Sequence, residues 1–202
     1  MKIKLILAII CCGMMFGSHA SAQNVAVKTN TLYWATTTPN LQLEFGLGRQ
    51  TTLEVGGTYN PFVLNSWTKN DVKFEKKLKH WMVQPEFRWW TCERFNRGFW
   101  GIHALGGVFN ASGIKMPFGI WERLENNRFE GWMVGGGVSY GYSWYLAPHW
   151  NLEATIGAGY IYLDMKRFEC GECGQELGKE TKHYFGPTKF GLTFTYFFKT
   201  KK

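Results

Sequence analysis

The sequence predicts an all-β protein, specifically an eight-stranded antiparallel up-and-down transmembrane β-barrel. Three observations carry that expectation: apolar residues recur with a period of two almost everywhere, short and long connections alternate, and the composition is rich in glycine and aromatics. The chain of 202 residues holds 24 glycines, is 17% aromatic and only 19% charged, and has a formal net charge of +8. That balance is unusual for a soluble helical protein and common in closed sheets. A hydrophobic content of 45% excludes a disordered, collagen-like or acidic-tail protein. The length suits one domain.

Residues 1–22 read as a secretory signal peptide, leaving residues 23–202 as one outer-membrane β-barrel domain. Lys2 and Lys4 form the positive region, Leu5 to Phe16 the apolar core, and Ala20-Ser21-Ala22 the small-residue cleavage site. The apolar core is too short for a spanning helix, which needs roughly 20 residues. Cys11 and Cys12 raise lipidation as an alternative, but Ile10 and Cys11 before them are not small. No later stretch reaches 18 consecutive apolar residues. An exported chain without a helical span still enters a membrane if it closes into a barrel, the other structure that satisfies every backbone group in lipid.

Eight strands are expected, near residues 25–36, 41–48, 51–60, 79–91, 98–110, 130–145, 150–167 and 183–198. The clearest alternation runs from Trp132 to Trp144: Trp132, Val134, Val138, Tyr140, Tyr142 and Trp144 oppose Met133, Gly135, Gly137, Ser139, Gly141 and Ser143. The last strand sets Phe190, Leu192, Phe194, Tyr196 and Phe198 against Lys189, Gly191, Thr193 and Thr195. Apolar residues on one face and small or polar ones on the other suit a wall between lipid and a crowded interior. Arg49-Gln50, Thr91 to Arg97 and Leu146 to His149 are short connections. Pro61 to Leu78, Ala111 to Phe129 and Phe168 to Lys182 are long, and Thr37 to Asn40 is a brief exception. Short turns on the periplasmic side and long extracellular loops are the outer-membrane pattern, and an even strand number puts both termini in the periplasm. Aromatic pairs spaced by about one membrane thickness along a strand reinforce this: Trp81 and Trp89, Trp100 and Phe109, Trp132 and Tyr142, Trp150 and Tyr160.

On the parity opposite to the apolar face lie Gln42, Glu44, Glu54, Gln84, Glu86, Arg88, Glu153 and Lys189, and Lys28 shares that parity. The lumen of an eight-stranded barrel is just wide enough for side chains, so these groups are expected to plug it as ion pairs, because an isolated buried charge is very costly. A small gated pore or proton path is the alternative.

Catalysis has little support. His80, His103, His149 and His183 form no H-x-S pair, and no HExxH, GxSxG or phosphate-loop pattern occurs. His103 with Ser139 and Ser143 on a neighbouring strand is the nearest approach to a spatial constellation. Gly135-Gly136-Gly137 sits in an alternating strand and reads as room in the wall. Cys170-Gly-Glu-Cys173 falls in a long outer loop and reads as a local disulfide, with two reduced thiols as the alternative. A metal site is not expected, because structural zinc wants four ligands and Cys92 belongs to the opposite end. Lys73, Lys76, Lys77 and Lys79 make the Asn70 to His80 stretch basic, either solvated or facing lipopolysaccharide phosphates. Nucleic acid is topologically implausible there. No cofactor is implied.

Lys189-x-Gly191-x-x-Phe194-x-Tyr196 resembles the β-signal of outer-membrane proteins, which is read by the barrel-assembly machinery; here the chain continues to Lys202. The stretch from Lys28 to Gly48, KTNTLYWATTTPNLQLEFGLG, followed by Gly56-Gly57-x-Tyr59-Asn60-Pro61 and a tryptophan-rich fourth strand, resembles a family of small outer-membrane barrels known as domain of unknown function 3575. The likeness covers essentially the whole mature chain. It implies an eight-stranded barrel of the outer membrane protein A type, often encoded near surface-fimbria components, and brings no catalytic residues. The resulting expectation is a monomeric, non-enzymatic outer-membrane protein with a structural or surface-interaction role in appendage assembly or envelope integrity. Its expected partners are outer-membrane lipids and lipopolysaccharide, the assembly machinery and surface-appendage proteins. An outer-membrane lipid-modifying enzyme would need clustered His, Ser and acidic groups at the outer rim. A lipocalin-like soluble binder of a hydrophobic ligand would turn its apolar faces inward.

Overall fold

A computed structural model describes residues 25–69, 72–113, 124, 127–169 and 175–198. Residues 1–22, Cys170 and Cys173 lie outside the described residues. The elements run β1 (Val25–Asn30), α1 (Thr31–Ala35), β2 (Asn40–Gly46), β3 (Thr51–Asn60), β4 (Val63–Lys69), β5 (Val72–Trp90), β6 (Arg97–Ser112), β7 (Asn127–Ala147), β8 (Trp150–Glu169) and β9 (Glu176–Phe197). Every pairing is antiparallel. β3 pairs with β5 and β1 pairs with β9, so eight strands close into a ring. β4 stands outside that ring, paired only with the first half of β5.

Four departures from the sequence expectation have local causes. β1 stops at Asn30, not near residue 36, because the Asn30 side chain accepts the Leu32 N–H at 3.1 Å and caps α1. The stretch from Pro61 to Leu78 is a hairpin instead of a loop: β4 and the first half of β5 pair there, bringing Val63 opposite Lys77 and Lys69 opposite Val72. β6 to β9 are each longer than expected and take up both ends of the connections that join β6 to β7 and β8 to β9. Phe109, expected as one member of an aromatic pair with Trp100, has the opposite parity to Trp100 and is buried inside.

The last difference exposes a rule. On the short-turn half of β7, inward positions are small or polar and outward ones apolar: Ser139 and Ser143 are buried while Val138, Tyr140 and Tyr142 are exposed. Toward the other end the arrangement inverts. Phe129 is fully buried and Met133 packs behind it, while Glu130 is exposed. The same inversion occurs on β8, from buried Glu153 and exposed Ile156 to buried Met165 and exposed Lys166. β5 passes from buried Arg88 and exposed Trp89 to exposed Lys79, with Leu78 packed on the apolar cluster.

Glycines line the wall between the two regimes. Gly137 and Gly159 face each other across β7 and β8. A Cβ on Gly137 would collide with the Ala158 carbonyl and the Gly159 Cα, which are backbone and cannot swing away. Gly137→Val is therefore expected to cost about 1–3 kcal/mol by overpacking. Gly57→Ala, where an added Cβ meets nothing within 4 Å, should change little. The urea midpoint of the two variants checks this; equal midpoints would show that the strands do not approach so closely.

Candidate functional site

Three buried layers are stacked along the strands, the first two inside the ring. At the short-turn end Ala26, Trp90, Phe95 and Phe99 form a buried cluster against Phe197. Trp90 lies 4.7 Å from Phe99, and Phe95 lies 5.1 Å from Phe197, centroid to centroid. Phe95 belongs to the β5–β6 turn, which folds beneath the ring with Phe95 at φ 65°, a left-handed conformation costly for a bulky residue. Its packing and its carbonyl, which accepts Asn151 Nδ2 at 2.9 Å, offset that cost. Arg94 anchors the same turn by donating to the Gly48 carbonyl at 3.2 Å.

Above this stopper lies the charged layer. Arg88 meets Glu44 at 3.1 Å, Glu54 at 2.7 Å, Glu86 at 2.7 Å and Glu153 at 3.0 Å. Lys28 pairs with Glu44, with Glu54 at 3.2 Å and with Glu153 at 2.7 Å. Lys189 reaches Glu54 at 2.9 Å and Glu86 at 2.6 Å. Glu54 thus touches all three cations, and Arg88 touches all four carboxylates. Hydroxyls take up further carboxylate lone pairs: Thr52 donates to Glu44, Ser139 to Glu86, and Thr155 to Glu153 at 3.2 Å. Arg88 also stacks over the Phe99 ring at 4.3 Å, linking the charged layer to the stopper.

A β-bulge aims the last cation. Pairing between β8 and β9 shifts between Gly157 and Ala158, leaving Thr188 unpaired between Pro187 and Lys189. Proline is tolerated at such a position. Two consecutive residues then serve the interior: Thr188 shares a 2.8 Å hydrogen bond with His103, and Lys189 enters the carboxylates. At the far side of this layer Tyr33 on α1 is held above the usual phenol range by burial; Lys189 opposes the shift and Glu54 adds to it. The third layer is apolar, built from Phe109, Ala111, Leu124, Phe129, Leu163 and Met165.

The structure places every charged residue singled out from parity in one cluster: Glu44, Glu54, Glu86, Arg88, Glu153 and Lys189, with Lys28 among them. Gln42 and Gln84 are also buried, but outside the ion pairs. Gly191 faces inward on β9, and Phe194 and Tyr196 face outward. Sequence reasoning missed the stopper. Its signal was present in Trp90, which shares the inward parity of Glu86 and Arg88. His103 and Ser139 are engaged separately, by Thr188 and Glu86. Among the described residues no group of three or more His, Cys, Asp or Glu side chains is arranged to hold a metal ion. Cys92 is free and exposed at the short-turn end.

These features define a class: an all-β protein whose eight antiparallel strands enclose a buried, ion-paired interior. The family described as protein of unknown function (DUF3575) matches residues 5–198, and the chain belongs to it. Comparison with curated proteins and with solved structures gave no match.

Arg88→Met leaves four buried carboxylates to two lysines and should cost about 3–5 kcal/mol, the usual penalty for an uncompensated buried charge. Glu44→Gln leaves three carboxylates to three cations and should cost much less. Urea titration of the compact form distinguishes them, and similar losses would show that charge balance does not govern the interior.

Proposed function

We propose that the protein is an integral outer-membrane β-barrel with a plugged lumen and a structural or surface-interaction role, not an enzyme. The observation that carries this reading is the inversion along β5, β7 and β8. On the short-turn half the sheet is apolar outside and, above the aromatic stopper, charged inside; further along the same strands it is apolar inside and charged outside. The first arrangement suits a bilayer and the second suits water. Outward positions from Trp132 to Trp144 on β7 and from Trp150 to Ala158 on β8 carry no charged residue. A soluble protein rarely exposes a contiguous apolar surface of that extent. A lipocalin-like carrier would need an apolar cavity where the ion pairs sit.

In this reading the exposed aromatics form the two girdles. Trp89, Trp100, Trp144 and Trp150 lie near the short turns, and Tyr59, Trp81 and Trp132, with half-buried Tyr160, near the inversion. The short turns are periplasmic, and the projecting halves of β5 to β9 are extracellular. Residues 1–22 direct export, and Lys189, Gly191, Phe194 and Tyr196 serve the assembly machinery. The projecting sheet, with its own apolar core, is the surface offered to envelope or appendage partners.

Extracted from outer membranes, the protein should migrate as a compact band unboiled and as a slower, unfolded band after boiling. In planar bilayers it should leave conductance at baseline. Recovery in the soluble periplasm without a boiling shift would overturn the membrane assignment, and steady conductance steps would overturn the plug.

A further inference from the structure

We infer that the outward face beside α1 holds a specific seat for one acyl chain of a phosphate-bearing outer-leaflet lipid, the chemistry of lipid A. This rests on the membrane reading above and adds a particular site to it. A groove of about 410 Å³ runs there between β2, β3 and β5. Its floor is Gly57, where a Cβ would meet nothing within 4 Å, and its walls include Trp34, Tyr59, Trp81, Leu41 and Val83. The apolar walls are fixed by the fold. Trp34 Nε1 donates to Thr29 Oγ1 at 2.8 Å, Tyr59 N–H donates to the Pro39 carbonyl at 3.1 Å, and Tyr59 is the cross-strand partner of Trp81.

The groove is the wrong shape for a soluble ligand, because one long side lies open on the outward face. An acyl chain lying along the strands would cover the apolar walls and continue into the bilayer. Charge fixes the kind of lipid. Lys79 is exposed, shares the outward face of β5 with Trp81, and stands two residues further from the short turns, roughly 7 Å along the strand. Its stem can follow the groove while its ammonium reaches the headgroup level. An apolar seat with a cation at one end matches an acyl chain attached to a phosphate and leaves a zwitterionic lipid less favoured.

The test uses the full mature protein folded into mixed bilayers of phosphatidylcholine and lipid A, released intact into native mass spectrometry, with the boiling shift measured on each variant. The wild type should retain lipid A in preference to phosphatidylcholine. Gly57→Leu, which fills the floor, should lose it. Lys79→Gln should lower the lipid A to phosphatidylcholine ratio roughly fivefold, the loss of one lysine near a charged surface, and Lys79→Arg should keep it. Should Gly57→Leu lose its boiling shift, Lys79→Gln on an exposed side chain carries the test. Equal retention of the two lipids by the wild type, or lipid A retained undiminished in Lys79→Gln, would overturn the seat while leaving the membrane reading intact. Failure of the wild type to insert, with no boiling shift, would remove both.

Discussion

The structure depends on one buried guanidinium. Arg88 sits among four carboxylates, and the other cations, Lys28 and Lys189, share them. The forked donors of arginine make this feasible where a single ammonium would not reach every partner. Each ring strand supplies a contact to this layer: Lys28 from β1, Glu44 from β2, Glu54 from β3, Glu86 and Arg88 from β5, Phe99 from β6, Ser139 from β7, Glu153 from β8 and Lys189 from β9. A one-residue slip of any strand would turn its contribution to the outside. The cluster therefore specifies register as well as occupying space. Burying it is tolerable only because the carboxylates and cations pair with one another and hydroxyls take up further lone pairs.

The other interior layers follow from that choice. Charged side chains near the middle leave the ends to be closed by something that excludes water, and aromatics do this at the short turns. Phe95 accepts an unfavourable backbone conformation to lie beneath Trp90 and Phe197, so the stopper is held in place by tertiary packing. Further along, Gly137 and Gly159 face each other across β7 and β8, where backbone leaves no room for a Cβ, just before the interior turns apolar. Stopper and ion pairs are successive cross-sections of the ring, and the apolar cap is packed among the strands that continue beyond it.

Much of this was legible because a period of two assigns faces without ambiguity. Parity alone identified Glu44, Glu54, Glu86, Arg88, Glu153 and Lys189 as inward. It could not say which carboxylate meets which cation, since that depends on stagger around the ring, or that a bulge at Thr188 changes the phase of β9. Phe109 was misread because spacing was weighed without parity: nine residues from Trp100 is an odd step and lands on the other face. The β4–β5 hairpin was hidden by its lysines, which read as a solvated loop although strands edged by charge are common where they project into water. α1 was missed because Asn30 fits a strand end equally well until its side chain is seen to cap.

The inversion of faces is the feature that no local propensity requires. β7 could have continued its pattern of Gly and Ser inward and aromatics outward; instead, beyond Trp132, Glu130 faces out and Phe129 faces in. β5 and β8 change in the same sense, although the strands differ in length and share no sequence repeat. The proposed passage from bilayer to water would account for the change, because one medium would reward one pattern along the whole strand. The ring is also lopsided: β1, β2 and β3 end early, while β5 to β9 continue. On the low side the wall finishes in Trp34, Tyr59 and Trp81, where the groove opens; on the high side the strands carry their own apolar core onward. Under the proposed membrane reading, the low rim would meet lipid and the projecting high rim would stand clear of it, which places the two ends of the wall in different surroundings.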